Sequence, residues 1–305
     1  MGLDANEKIL ADYNDVFADI MNVLLYDGKE VIGENDLENT KDRSLYKIEG
    51  KIHEQERDVS KIFRHREMRL AFLGIEHQNK SDRYMPLRVI SYDGSAYRAQ
   101  LLKRILSDEE NRLIKSKPSE DKIFYPFITL VLYFGLKPWN YGKTLYEVID
   151  IPDDLKPYVN DYKINLVEVA WLDPEKVSMF KSDFRLVADF FVQKKQTGRY
   201  IPPDIPIKHV DEFLKLLCTL VGDERYLEIL AELNHNEDKR NGGKTTMCEI
   251  YDWIENNGIQ KGIKQGIDQE RVHTLEAQKM AEKEKKRADA LEKEVLKLRA
   301  MLNKA

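Results

Sequence analysis

The sequence predicts an α/β domain, a mixed sheet flanked by helices, followed by a helical region and a C-terminal coiled coil. Three observations predict it. Short apolar runs lie at 58–63, 68–78 and 124–134, the last rich in β-branched and aromatic residues, and each reads as a strand. Apolar residues spaced three and four apart open the chain and return after Pro174. Beyond Gly266 the chain is built almost wholly from Ala, Glu, Lys, Arg, Leu and Gln and carries a seven-residue repeat. The divisions expected are a sheet domain over 1–173, a helical region over 174–257 and a tail over 258–305.

The elements follow in order. Ile9, Tyr13, Val16, Phe17, Ile20, Met21 and Leu24 share helical spacing, so the first helix is expected over 6–27 and Asp27-Gly28 ends it. Residues 33–44 are polar and read as a loop. Strand character follows at Tyr46–Ile52, Asp58–Phe63, Met68–Gln78 and Leu87–Tyr92, with a turn at Asp93-Gly94. Tyr97, Leu101, Leu102 and Ile105 return to helical spacing. Phe124–Phe134 and Tyr162–Trp171 read as two buried strands. Asp173-Pro174 starts a helix whose stripe is Val177, Phe180, Phe184, Val187 and Phe191. Helices are expected over 208–222, 223–234 and 245–256.

Composition sets limits. With 42% hydrophobic and 34% charged residues the chain can bury a core and stay in water. No run of about 18 apolar residues is present, so no membrane span is expected. The N-terminus lacks the basic-then-apolar pattern of a secretory signal, and two cysteines, Cys218 and Cys248, fit a reducing compartment, so a cytoplasmic location is expected. The net charge is −5, yet residues 41–120 carry 18 Lys/Arg against 13 Asp/Glu. That local basic surplus has the sign that phosphate binding needs.

The same segment holds the candidate chemistry. The apolar run Met68–Ile75 leads straight into Glu76-His77-Gln78. Residues two apart on a strand share a face, so Glu76 and Gln78 are neighbours, with Gly74 leaving the surface open beside them. Asp58 begins the preceding apolar stretch. If the two strands pair, two carboxylates and an amide converge. A hard divalent cation such as Mg²⁺, or Mn²⁺, needs little more from a protein, and metal-assisted phosphodiester hydrolysis can be built on it. A surface ion pair with Arg57, Lys61, Arg64 or Arg66 is the structural alternative. His77 alternates to the opposite face. No phosphate loop, zinc-protease motif or nucleophile elbow is present.

The ordered words Asn14–Ile20, Glu56–Val59, Gly74–Asn79, Tyr84–Asp93, Thr129–Gly135, Trp139, Asp161–Leu166 and Phe180–Phe184 resemble the Rpn family of recombination-promoting nucleases, often labelled transposases, within the PD-(D/E)XK nuclease superfamily. The resemblance covers roughly the first two thirds of the chain. It implies a restriction-endonuclease-like core, Mg²⁺-dependent DNA cleavage, and a part in DNA recombination or mobile-element and defence biology. It implies that Asp58 and Glu76 hold the metal and that Gln78 stands where the superfamily usually has Lys. Gln can orient a water or a phosphate oxygen but supplies no charge. Asp15, in the early Asp-x-Phe word, is either a further metal ligand or part of a solvated helix face. Asp15, Asp58 and Glu76 also admit the three-acid site of an RNase H-like transposase, which the Glu-x-Gln spacing fits less well. Arg88 and Tyr92, four apart, either hold phosphate or make a structural pair.

The tail contains Gly258-Ile259, Gly262-Ile263 and Gly266-Ile267 at four-residue steps. Ala281, Ala288, Val295 and Leu302 are seven apart, as are Ala277, Glu284, Leu291 and Leu298. These are the a and d positions of a heptad seam, which points to a homodimer. The rival functional class is a non-catalytic nucleic-acid-binding or coiled-coil assembly protein that keeps the fold.

Overall fold

The computed structural model describes residues 10–39, 43–48, 51–56, 59–63, 68–75, 83–113, 124–235 and 245–302. Two compact units are present, Met1–Cys248 and Glu249–Ala305.

In the first unit, helix α1 (Asn14–Tyr26) precedes strands β1 (Leu37–Asn39), β2 (Arg43–Ile48), β3 (Lys51–Glu56), β4 (Val59–Phe63) and β5 (Met68–Ile75). Helix α2 (Met85–Leu113) leads to β6 (Phe127–Tyr133) and β7 (Asn165–Glu168). Helices α3 (Pro174–Met179), α4 (Phe184–Thr197), α5 (Val210–Val221) and α6 (Arg225–His235) follow. The main sheet has the order β1-β4-β5-β6-β7. β1, β4 and β5 pair antiparallel, whereas β5, β6 and β7 pair parallel, so the sheet is mixed as expected. β2 and β3 form a separate two-stranded sheet in which Ile48 faces Lys51. The expected single strand at Tyr46–Ile52 is therefore parts of two, and the short β1 falls in the expected loop at 33–44.

Helices flank the sheet on both sides. Val131 and Tyr133 of β6 pack with Met85, Val89 and Tyr92 of α2, together with Trp139 and Ile164. On the other face Lys61 of β4 reaches the Phe17 ring of α1, 5.6 Å from its centroid. The register makes these faces opposite: Lys61 pairs with Leu70, and Leu70 with Ile128, an odd number of residues from Val131. Phe134 packs against Phe184 and Phe191 of α4.

The largest departure from expectation is at 85–113. The strand expected at Leu87–Tyr92 and the turn at Asp93-Gly94 are one continuous helix. Pro86 is tolerated because it falls in the first turn. The buried residues Met85, Val89, Tyr92, Asp93, Ala96 and Gln100 recur at three and four, which is helical spacing. Val89 and Ile90 favour strands locally, and packing overrides that preference. Asp93 accepts hydrogen bonds from Thr129 Oγ1 at 2.7 Å and from the Tyr162 hydroxyl. Gln100 holds both backbone groups of Tyr125, and the Tyr97 hydroxyl accepts from Phe127 N at 3.0 Å.

The stripe after Pro174 is buried as expected, but it spans two helices with a break at 180–183. The Lys181 and Ser182 amides donate to Asp19 Oδ2 at 2.9 and 2.7 Å rather than to a preceding helical turn. The expected strand Tyr162–Trp171 shortens to β7 and ends in a 3₁₀ turn at Val169–Trp171. In the second unit one helix, α7 (Met247–Leu302, its first two residues in the first unit), runs through all three tail glycines without a break. None of the described helices is long and apolar enough to cross a membrane.

Asp93→Ala takes this acceptor from the buried Thr129 hydroxyl and the half-buried Tyr162 hydroxyl. The expected loss is about 2 kcal/mol of unfolding free energy, measured by urea denaturation. A loss within error would mean that the Asp93 hydrogen bonds add nothing to what the apolar face, Tyr97 and Gln100 already hold.

Candidate functional site

The strands that frame the candidate site are in register. Val59, the first residue of β4, is buried and pairs with Phe72 of β5. Ile75, the last residue of β5, pairs with Tyr133, and Tyr133 pairs with Glu168. Asp58 directly precedes Val59 in the chain, and Glu76, His77 and Gln78 directly follow Ile75. All four lie outside the described residues. Among the described residues no group of three or more His, Cys, Asp or Glu is arranged to hold a metal ion.

The described part of this region is the carboxyl-terminal edge of the parallel strands, where open α/β sheets bind ligands. Glu168 accepts from the Trp139 backbone N–H at 2.6 Å and lies 3.5 Å from the Lys143 ammonium. Trp139 packs edge-on to Tyr133, with centroids 5.2 Å apart. Its buried indole N–H has no hydrogen-bond partner among the described residues. Burial, then the Glu168 and Tyr141 charges, raise the Tyr133 phenol above its ordinary pKa. Lys143 thus brings a half-exposed cation to Glu168 at the edge of the sheet.

Asp15 is in a different setting. Its carboxylate accepts from Lys208 Nζ at 2.7 Å, and its two oxygens lie 3.1 and 3.2 Å from His209 Nε2. The His209 ring stacks on Tyr13 at 3.7 Å between centroids. Partial burial opposes ionisation of Asp15, but the hydrogen bonds from Lys208 and His209 outweigh it and hold its pKa below the ordinary value. Asp183 completes the arrangement by accepting from the Lys208 and His209 amides at 3.0 and 2.7 Å. Asp15, Asp19, Glu30, Glu34, Asp36 and Asp183 line a cavity of 690 Å³ with Lys181 and Lys208. Its sign is wrong for a phosphate backbone.

Arg88 and Tyr92 share a face, as expected, but of a helix. The guanidinium is 3.5 Å from the Tyr92 hydroxyl, and Arg88 itself is exposed.

Residues 29–199 match the family described as "Putative transposase, YhgA-like". The chain belongs to that family. Comparison with curated proteins and with solved structures gave no match. The matched residues include Asp58, Glu76 and Gln78, the whole main sheet, Glu168 and Lys143. Asp15 lies before them, and Lys208 and His209 after them.

Glu168 and Lys143 carry polar contacts that sequence reading missed, and Lys61, offered there as a surface ion-pair partner, is instead buried and held by Asp12. Lys61 is fully buried; its ammonium donates to the Asp12 carbonyl at 2.7 Å and to Asn39 Oδ1. Burial lowers its pKa, and Asp12 opposes the shift. A lysine between Ser60 and Ile62 was a visible anomaly in an apolar strand. Glu168 and Lys143 gave no comparable signal, because their partnership depends on the strand order.

Asp15→Asn tests the cluster. A carboxylate with a lowered folded pKa contributes stability above its unfolded pKa, about 4, and loses it as pH falls through the folded value. The expected cost of the substitution is about 1 kcal/mol at pH 7, shrinking below about pH 4, measured by urea unfolding across pH. A pH-independent difference would remove the charge from the explanation.

Proposed function

We propose that the chain is a metal-dependent DNA endonuclease that hydrolyses phosphodiester bonds, with a restriction-endonuclease-like core. The observation that carries this reading is the family match over residues 29–199, which contains the paired acids Asp58 and Glu76 within the apolar strand words. The mixed sheet flanked by α1 and α2 supports it, as does the placement of β4 and β5 side by side.

Asp58 and Glu76 are hard oxygen donors that suit Mg²⁺ or Mn²⁺. Bound there, the ion supplies activation of water and stabilisation of the leaving oxygen. Gln78 orients the water or a phosphate oxygen through its amide. It brings no charge; Lys143, a cation at the same edge of the sheet, lies 3.5 Å from the Glu168 carboxylate, so a phosphate would compete with that carboxylate for it. Asp15 is engaged by Lys208 and His209, so a metal role for it requires those contacts to yield. DNA is the proposed substrate, with a role in recombination or mobile-element and defence biology. The tail forms a homodimer through its heptad seam.

The test is cleavage of plasmid DNA by the purified full chain with Mg²⁺ or Mn²⁺ and a chelator control. Asp58→Ala and Glu76→Ala are each expected to lower the rate about 100-fold or more while the fold is kept. Gln78→Ala is expected to be roughly 10- to 100-fold slower, and Gln78→Lys to stay active. A folded Asp58→Ala or Glu76→Ala variant that cuts at the parent rate removes the metal assignment. No cleavage by the parent under any metal favours the non-catalytic binding protein, which Gln78 in place of Lys leaves open.

Deleting residues 259–305 is expected to lower the oligomeric state without unfolding the first unit, as read by light scattering and circular dichroism. Full-length protein that is already monomeric at micromolar concentration would sink the dimer.

A further inference from the structure

The second unit is a single helix from Glu249 to Leu302. Every side chain from 258 to 297 is exposed. Ile263, Ile267, Leu291 and Val295 are 52%, 51%, 62% and 46% exposed. Counting back by sevens from Val295 gives Ala288, Ala281, Thr274 and Ile267. Counting back from Leu291 gives Glu284, Ala277, Glu270 and Ile263. The seam therefore runs unbroken from 263 to 302, with large apolar residues at both ends and small or polar ones between.

Two glutamates, Glu270 and Glu284, fall within that seam at d positions. In a parallel, in-register pair each faces its own copy, which sets like charges against each other in a desolvated layer. An antiparallel pair opposes a positions to d positions. In one such register Glu270 faces Val295, Thr274 faces Leu291, Ala277 faces Ala288, and Ala281 faces Glu284. Positions 263 and 267 then fall against 302 and 298. Neither glutamate meets its twin, and the small residues collect at the centre, where helices can approach closely.

Charge favours the same orientation. Residues 249–276 carry six acidic and three basic side chains, whereas 277–305 carry nine basic and five acidic. Antiparallel pairing lays the acidic half of one helix on the basic half of the other. Along the flanks Arg271 meets Glu292, and His273 meets Glu294. Only Lys264 and Arg299, near the ends, oppose it.

We infer that a second copy of this chain docks on α7 in antiparallel register, centred between Ala281 and Glu284. The inference rests on the dimer reading above and adds its orientation. It carries a consequence for cleavage: the Ile263 positions of the two copies lie about 60 Å apart along the pair, so the two tails do not begin side by side.

The experiment is pulsed dipolar spectroscopy on the full chain with Cys218→Ser and Cys248→Ser. One nitroxide is attached per chain through Gln265→Cys or, separately, Val272→Cys, both on the outer face of the seam. Antiparallel pairing predicts about 55 Å between labels at 265 and about 35 Å at 272. Parallel pairing predicts about 20 Å at both. That second result overturns the orientation and keeps the dimer. Absence of intermolecular coupling at both sites, with monomeric light scattering, overturns the dimer itself. Circular dichroism matching the parent confirms that each labelled chain keeps its helix.

Discussion

The Asp93 carboxylate is the interaction on which the sheet depends. β5 and β6 run parallel, so the chain must cross from one end of the sheet to the other between them, and α2 makes that crossing. Asp93 ties the third turn of α2 to Thr129 in β6 and to Tyr162 just before β7. Gln100 and Tyr97 tie the next turns to the start of β6. A helix held only by apolar contacts could slide by a turn, whereas one held by buried hydrogen bonds has a single position. The register set in this way places Ile75 beside Tyr133 and Tyr133 beside Glu168, so the end of β5 meets the Trp139–Glu168–Lys143 group.

A second set of carboxylates organises the opposite face. Asp19 and Asp183 both accept pairs of backbone N–H groups from chain segments that leave a helix or enter one. Each such segment would otherwise bury unpaired donors. Asp19 holds the break between α3 and α4, and Asp183 holds the entry to α5. Through Asp19 and Asp15, helix α1 is joined to residues more than 160 positions away. Several words that carry the family resemblance meet here and at Asp93. Asp19, Asp93 and Asp183 are each engaged in holding backbone or hydroxyl groups of the architecture.

The proposed site and the proposed dimer make different demands. Cleavage needs two oxygen donors, an oriented water and a local positive potential. In the proposed site that potential would come from the basic surplus of residues 41–120 in a chain that is acidic as a whole. The proposed dimer needs only a seam with no buried like charges, which an antiparallel register would satisfy. An antiparallel rod separates the two tail origins, so it suits two sites acting on distant points of DNA better than two strands cut at one point.

By itself the sequence determined the apolar strands β4, β5 and β6, the buried stripe from Val177 to Phe191, the helical pattern of the tail beyond Gly266 and the family. Each is a local pattern: a run of β-branched residues, a spacing of three and four, or an ordered set of words. Tertiary structure alone decided that Leu87–Tyr92 is helical, because Met85, Val89 and Tyr92 find Val131 and Tyr133 to pack on only when β6 is in place. It also decided where helices break, since Asp19 and Asp183 draw amides away from the regular pattern across long separations. The strand order, the burial of Lys61 beneath α1 and the partnership of Glu168 with Lys143 belong to the same class. Short segments with mixed preferences take the state in which their buried polar groups find partners, and those partners are distant in the chain.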